Sequence, residues 1–204
     1  MEITAITPQK KDKTRCNIEI DGRFYCGMKL ETVMQNRLKA GEIVTPELLS
    51  EMQMQSEKQT ALDKALTHIT VSMKTEKEIR DFLARKGFLQ NVCDYVVDKM
   101  KEYGFLDDAL YAKQYTEYAG KKKGARLIAL ELKRRGVDDE TARNAVAEIE
   151  DGDQAACRVL EKYMRGKEVN RDTLRKAYAH LVSKGFDYDT ARSALKSLGD
   201  EDED

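Results

Sequence analysis

The chain has 204 residues, with 36 Lys and Arg against 37 Asp and Glu, a net charge of −1, 41% hydrophobic residues and no Trp. So even a balance argues against a dedicated nucleic-acid binder, which is usually basic throughout. No apolar run approaches the roughly 20 residues needed to span a bilayer, and the N-terminus lacks the apolar core of a secretory signal, so the expected compartment is the cytosol.

Met1–Thr7 and Cys16–Ile20 alternate in polarity, and Asp21-Gly22 between Cys16–Ile20 and Arg23–Cys26 is a type I′ hairpin signal. A small antiparallel sheet is expected over residues 1–28, followed by helices near 30–40 and 46–57. Pro46 behind Thr45 fits the start of the second helix. With a two-residue turn, Cys16 would pair with Gly27 and Cys26 with Asn17. The two thiols would then face opposite sides and could not bridge. Cys93 and Cys157 fall on apolar helical faces, and no Cys-x-x-Cys occurs, so no zinc site or other cofactor is expected.

From residue 60 onward the chain repeats. Gly87, Gly136 and Gly185 stand 49 residues apart, each between a basic and an apolar residue. Leu83, Leu132 and Leu181 precede them by four, while Cys93, Ala142 and Ala191 follow by six. Val97, Val146 and Leu195, then Met100, Ile149 and Leu198, continue the register. Spacings of four and three mark an amphipathic helix, and the glycine fits the left-handed position that ends the helix before it. Thr75 with Glu78 forms a capping box; Asp138 and Asp187 are expected helix caps, and so is Asp107, with Leu106 stapling to Tyr111. A third helix precedes each pair, over 60–72, 108–119 and 153–164.

The expected fold is therefore mainly α: three tandem three-helix repeats in an extended, curved array, preceded by a small antiparallel β-sheet. The expected boundaries are 1–58, 59–104, 105–151 and 152–199, with an acidic, disordered tail over 200–204.

Chemistry is sparse. His68 and His180 are the only histidines, and no phosphate-binding glycine loop occurs, so no catalytic role is expected. The charges, however, are segregated: residues 1–60 carry net 0, residues 61–136 net +5 and residues 137–204 net −6. The candidate contact residues are Lys121, Lys122, Lys123, Arg126, Lys133, Arg134 and Arg135 in the second repeat. The first repeat offers Lys74, Lys77, Arg80, Arg85 and Lys86. Lys122, Arg126 and Lys133 are spaced for one stripe, with small, exposed Ala129 between. Basic runs also solvate helix ends, but three adjacent cations call for an anionic partner, either phosphate or an acidic protein groove. Tyr103, Tyr111, Tyr115 and Tyr118 have helical spacing and are expected in the core.

At three stretches the chain resembles the RecX family, bacterial modulators of the RecA recombinase: Thr75–Phe88, Tyr103–Asp108 with Tyr111, Ala112 and Tyr115, and Lys123–Val137. One basic position of that family is occupied here by Leu127. The resemblance implies a regulator that lies along the RecA–DNA filament, restrains its ATP hydrolysis, strand exchange and coprotease activity, and in some members touches single- or double-stranded DNA; an open-ended array needs no symmetric partner, so a monomer is expected. The alternative is a helical-repeat module that binds nucleic acid without a recombinase partner.

Overall fold

A computed structural model describes residues 1–149 and 152–200. It is mainly helical, with three three-helix repeats behind a three-stranded antiparallel sheet. Chain contacts divide it into two units, Met1–Asp107 and Asp108 onward.

In the first unit, strands β1 (Ile3–Pro8), β2 (Arg15–Ile20) and β3 (Arg23–Lys29) pair in the order β1-β2-β3. Asp21 and Gly22 take φ of 48° and 75°, the double positive φ that a type I′ turn demands. The expected register fails two residues later. Glu19 pairs with Phe24 but Ile18 pairs with Cys26, so Tyr25 is an extra residue in β3. That bulge shifts all later pairing by one: Cys16 faces Met28, and Asn17 faces Gly27. Cys16 and Cys26 consequently bury on the same face as Ile18 and Met28, not on opposite faces. Both are free thiols, and burial pushes Cys26 up to about 12, which keeps it protonated.

Helix α1 (Leu30–Gln35) is shorter than expected; Asn36 and then Arg37, at φ 55°, end it. Helix α2 (Pro46–Ile69) begins as expected, with Thr45 Oγ1 accepting from Leu48 N at 3.2 Å. It then runs unbroken through residue 58, where two separate helices were expected. No glycine or proline interrupts 47–69, and the charged stretch there is helix-compatible. Leu49, Gln53, Glu57, Ala61 and Ala65 form a buried stripe at every fourth position. Leu49 enters the core of the sheet, and Ala61 and Ala65 enter that of the first repeat, so one helix joins both.

The first repeat continues with α3 (Glu76–Arg85) and α4 (Gln90–Glu102). Thr75 and Glu78 form the capping box read from the sequence. Ile79 and Leu83 pack against Val92, Val96, Val97 and Met100. Cys93 is buried beside them, its thiol pushed up to about 11.

The second unit holds α5 (Asp108–Gly120), α6 (Ala125–Arg134) and α7 (Asp139–Ala147), then α8 (Gly152–Met164), α9 (Arg171–Ser183) and α10 (Tyr188–Asp200). Asp138 accepts from Glu140 N and Thr141 N, and Asp187 from Asp189 N and Thr190 N, as the spacing implied. Leu106 packs in the core of the first repeat and Tyr111 in that of the second. Of the acidic tail, Asp200 ends α10, and residues 201–204 lie outside those described.

The three periodic glycines close one motif three times. Gly87 N donates to Ala84 O at 2.9 Å and Phe88 N to Leu83 O at 3.2 Å. Gly136 with Val137, and Gly185 with Phe186, repeat both bonds. This is the Schellman ending, and the three φ values of 85°, 94° and 89° are the left-handed backbone it needs. Gly136→Val should therefore cost about 1–3 kcal/mol, and Gly136→Asn less, because Asn tolerates positive φ. Thermal unfolding checks this: equal midpoints for Gly136→Val and the parent would contradict the assignment.

Candidate partner-binding surface

The glycine corners also receive neighbouring backbone. In the first unit Gly27 N donates to Gly87 O at 2.8 Å, and Gln53 Nε2 donates to the same oxygen at 2.9 Å. In the second, Gly124 N donates to Lys184 O at 3.0 Å and Arg126 N to Gly185 O at 3.2 Å. The start of α6 is thus pinned to the corner between α9 and α10, and Arg126 is placed 5.5 Å over the exposed ring of Tyr188. The second and third repeats present this cation and this ring together.

The basic residues divide into engaged and open ones. Lys123 donates to both oxygens of Glu131 at 2.6 and 2.7 Å, and Tyr115 donates to Glu131 at 2.6 Å. Burial would raise the Glu131 carboxyl, but those hydrogen bonds overcome it and hold it below the ordinary value. Arg135 donates to Tyr111 Oη at 2.9 Å and lies 5.1 Å over Tyr115. Lys123 and Arg135 are therefore parts of an internal network. Lys133 pairs with Asp139 at 2.8 Å. In the first repeat Arg80 is held by Glu76 at 3.2 Å and Asp94 at 3.0 Å, and Lys77 by Asp81 at 3.1 Å. Lys74 donates to Ser72, and Lys86 lies 5.5 Å over Phe82.

Lys121, Lys122, Arg126 and Arg134 remain exposed without an ion pair among the described residues, as does Arg85. The expected stripe needs correction. Lys122 precedes α6, which starts at Ala125, so helical spacing does not relate it to Arg126; Lys133 is engaged; and Ala129 is half-buried, not exposed. The tyrosines also separate: Tyr111 is buried and Tyr115 half-buried, but Tyr103 and Tyr118 are exposed, contrary to a shared core role. Tyr188 was missed. Its signal was its place just behind the cap Asp187, on the repeat corner that α6 meets.

Family models match along the chain in order: the regulatory protein RecX N-terminal domain over residues 1–45, and the RecX first, second and third three-helix domains over 61–100, 107–146 and 150–195. The chain belongs to the RecX family. Regulatory protein RecX of Clostridium perfringens (strain 13 / Type A) is 30% identical over 203 residues, covering 97% of this chain and 96% of the relative. Regulatory protein RecX of Lacticaseibacillus paracasei is 31% identical over 203 residues, covering 97% and 84%. A crystal structure of regulatory protein RecX superposes with a TM-score of 0.64 at 21% identity, covering 96% of this chain and 98% of that one. One of RecX from Lactobacillus salivarius gives 0.63 at 23% identity, covering 70% and 97%. Both share the fold. RecX relatives carry the name of regulatory proteins, and here the exposed cations and rings lie on helical repeats. No helix among the described residues is long and apolar enough to cross a membrane.

Proposed function

We propose that this chain is a non-catalytic cytoplasmic regulator that lies along the groove of a RecA–DNA filament as a monomer and restrains its ATP hydrolysis, strand exchange and coprotease activity. The observation that carries it is the match of four RecX modules in order along nearly the whole chain. The physics is consistent. Tandem modules sum weak contacts through effective concentration. Lys121, Lys122 and Arg126 offer open charge to an acidic protein groove or to phosphate beneath it. The net charge of −1 disfavours bare DNA as the principal target.

Co-sedimentation with RecA on single-stranded DNA, set beside bare DNA, tests the choice of partner. Binding to the filament at physiological salt and little to bare DNA is the expected result. Equal binding to both, weakening steeply with salt, would favour the plain nucleic-acid module instead. Lys122→Glu with Arg126→Glu should weaken filament binding roughly ten- to a hundredfold, as two contacts of about 0.7–1.4 kcal/mol each imply. Circular dichroism should not change, because both side chains are exposed. Unaltered affinity would reduce these cations to a solvated face.

A further inference from the structure

In the first unit an open cleft of about 620 Å³ lies between the end of α2 and the end of α3, with Asp63, Lys64, His68, Val71, Phe82 and Lys86 in its lining. His68 stacks on Phe82 with ring centroids 4.0 Å apart, and Lys86 Nζ lies 5.5 Å over the same Phe82 ring. We infer that this cleft docks an acidic peptide of a protein partner, one of whose carboxylates takes the place in the first repeat that Glu131 holds in the second.

The second repeat shows the chemistry. The 49-residue register sets Lys74 against Lys123, Phe82 against Glu131 and Lys86 against Arg135. In the second repeat Glu131 accepts from Lys123 at 2.6 and 2.7 Å and from Tyr115 of the preceding helix at 2.6 Å, and Arg135 attracts the same carboxylate. The first repeat keeps both cations and has a ring where the carboxylate stands. Lys74 donates to Ser72 and Lys86 faces Phe82, and neither has an ion pair among the described residues. The preceding helix again supplies a ring with a hydrogen-bonding edge, here His68. The third repeat cannot do the same, because Asp172 stands at the position of Lys74 and Lys123.

The cations converge on the cleft. Burial holds the His68 imidazole below its ordinary value, and Lys74, Arg85 and Lys86 push it the same way, with Glu78 opposing. The acids nearby are already engaged. Asp63 accepts from Gln59 at 2.9 Å, Glu78 closes the capping box with Thr75, and Asp81 pairs with Lys77 at 3.1 Å. Asp12, toward Lys64, accepts from Thr14 at 2.6 Å. An anion between Lys74 and Lys86 would relieve their mutual repulsion. A peptide suits the cleft better than a phosphate chain. The group seated on the matching cations of the second repeat is a carboxylate, and Val71, 85% exposed, adds apolar surface for a neighbouring side chain. This inference rests on the reading that the chain binds a protein, but the isolated chain tests it. Failure here with filament binding retained would strike this cleft alone.

Fluorescence anisotropy of the full chain with a labelled peptide of about ten residues, alternating Glu and Leu, should show saturable binding. The same peptide with Gln for Glu should bind at least about tenfold more weakly. Lys74→Gln with Lys86→Gln should weaken the acidic peptide about tenfold or more without moving the melting temperature, since neither side chain is buried. Phe82→Glu, which supplies the second repeat's own carboxylate, should abolish binding. Should it unfold the chain, the lysine pair still decides. Arg37→Asn with Lys39→Gln removes as much charge ahead of Pro46, and α2 carries His68 about 33 Å from Pro46, so that variant should bind as the parent does. Displacement of the peptide by a thymidylate single strand of equal or better affinity would assign the cleft to nucleic acid and overturn the inference. Absence of saturable binding, equal affinity for the Gln peptide, or an equal loss in the Arg37/Lys39 variant would overturn it as well.

Discussion

Gly124→Ala should separate the second and third repeats. A Cβ at position 124 would lie 2.3 Å from the carbonyl carbon and oxygen of Gly185 and from Phe186 N. Those atoms are backbone of a Schellman corner fixed by Gly185 N to Val182 O at 3.0 Å and Phe186 N to Leu181 O at 3.3 Å, so they cannot rotate away as a side chain would. The methyl group must push α6 off the corner, breaking the bonds from Gly124 N and Arg126 N. Overpacking together with two lost hydrogen bonds should cost about 3–5 kcal/mol. Hydrogen exchange should show the Gly124 and Arg126 amides losing protection before the rest of α6. Gly120→Ala serves as the control, because a Cβ there meets nothing within 4 Å. If the Gly124 and Gly120 variants unfold together with the parent, the corner does not hold the repeats.

The second large effect lies in the first unit. Arg15 and Glu57, at 5% and 0% side-chain exposure, form an ion pair between β2 and α2. Arg15 also stacks 4.9 Å over Phe88 of the first repeat. Removing one member strands the other charge out of water, so Glu57→Ala should cost about 3–5 kcal/mol. Replacing both, as Arg15→Met with Glu57→Leu, should recover most of that loss, since well-packed apolar pairs often equal a buried ion pair. Chemical denaturation of the two single variants and the double variant measures the coupling; additive losses would contradict it. Burial raises the Glu57 carboxyl above its ordinary value of 4.5, against the attraction of Arg15. Folding therefore takes up a proton here only at pH values between the ordinary and the raised value, and above that window the ion pair is charged. The stabilisation from that uptake is full below the ordinary value and is lost as pH rises through the raised folded value.

These two sites also show what sequence reveals and what it hides. The repeat was legible because the Schellman ending needs glycine at one position and an apolar residue after it, and both recur at a fixed interval. The caps at Thr75, Asp138 and Asp187 were legible for the same local reason. The sheet register was not. The bulge at Tyr25 is set by which face must be buried, and only the packed core decides that. The length of α2 was hidden by its charges: Glu57 looks like a solvated linker residue until Arg15, 42 positions away, is brought against it. Among the cations, spacing placed them on the surface but could not separate Lys123 and Arg135, which serve an internal tyrosine–carboxylate network, from Lys122 and Arg126, which do not. That distinction depends on partners on other helices, as does the meeting of Arg126 with Tyr188.

The rate of ATP hydrolysis by RecA on single-stranded DNA, measured while the full chain is titrated in, addresses the regulatory role most directly. If the chain restrains the filament as proposed, it should slow hydrolysis at substoichiometric ratios, and the Lys122→Glu/Arg126→Glu variant should need about ten- to a hundredfold more protein for the same effect. Hydrolysis that stays unchanged at equimolar protein, with no chain sedimenting with the filament, would contradict the proposal.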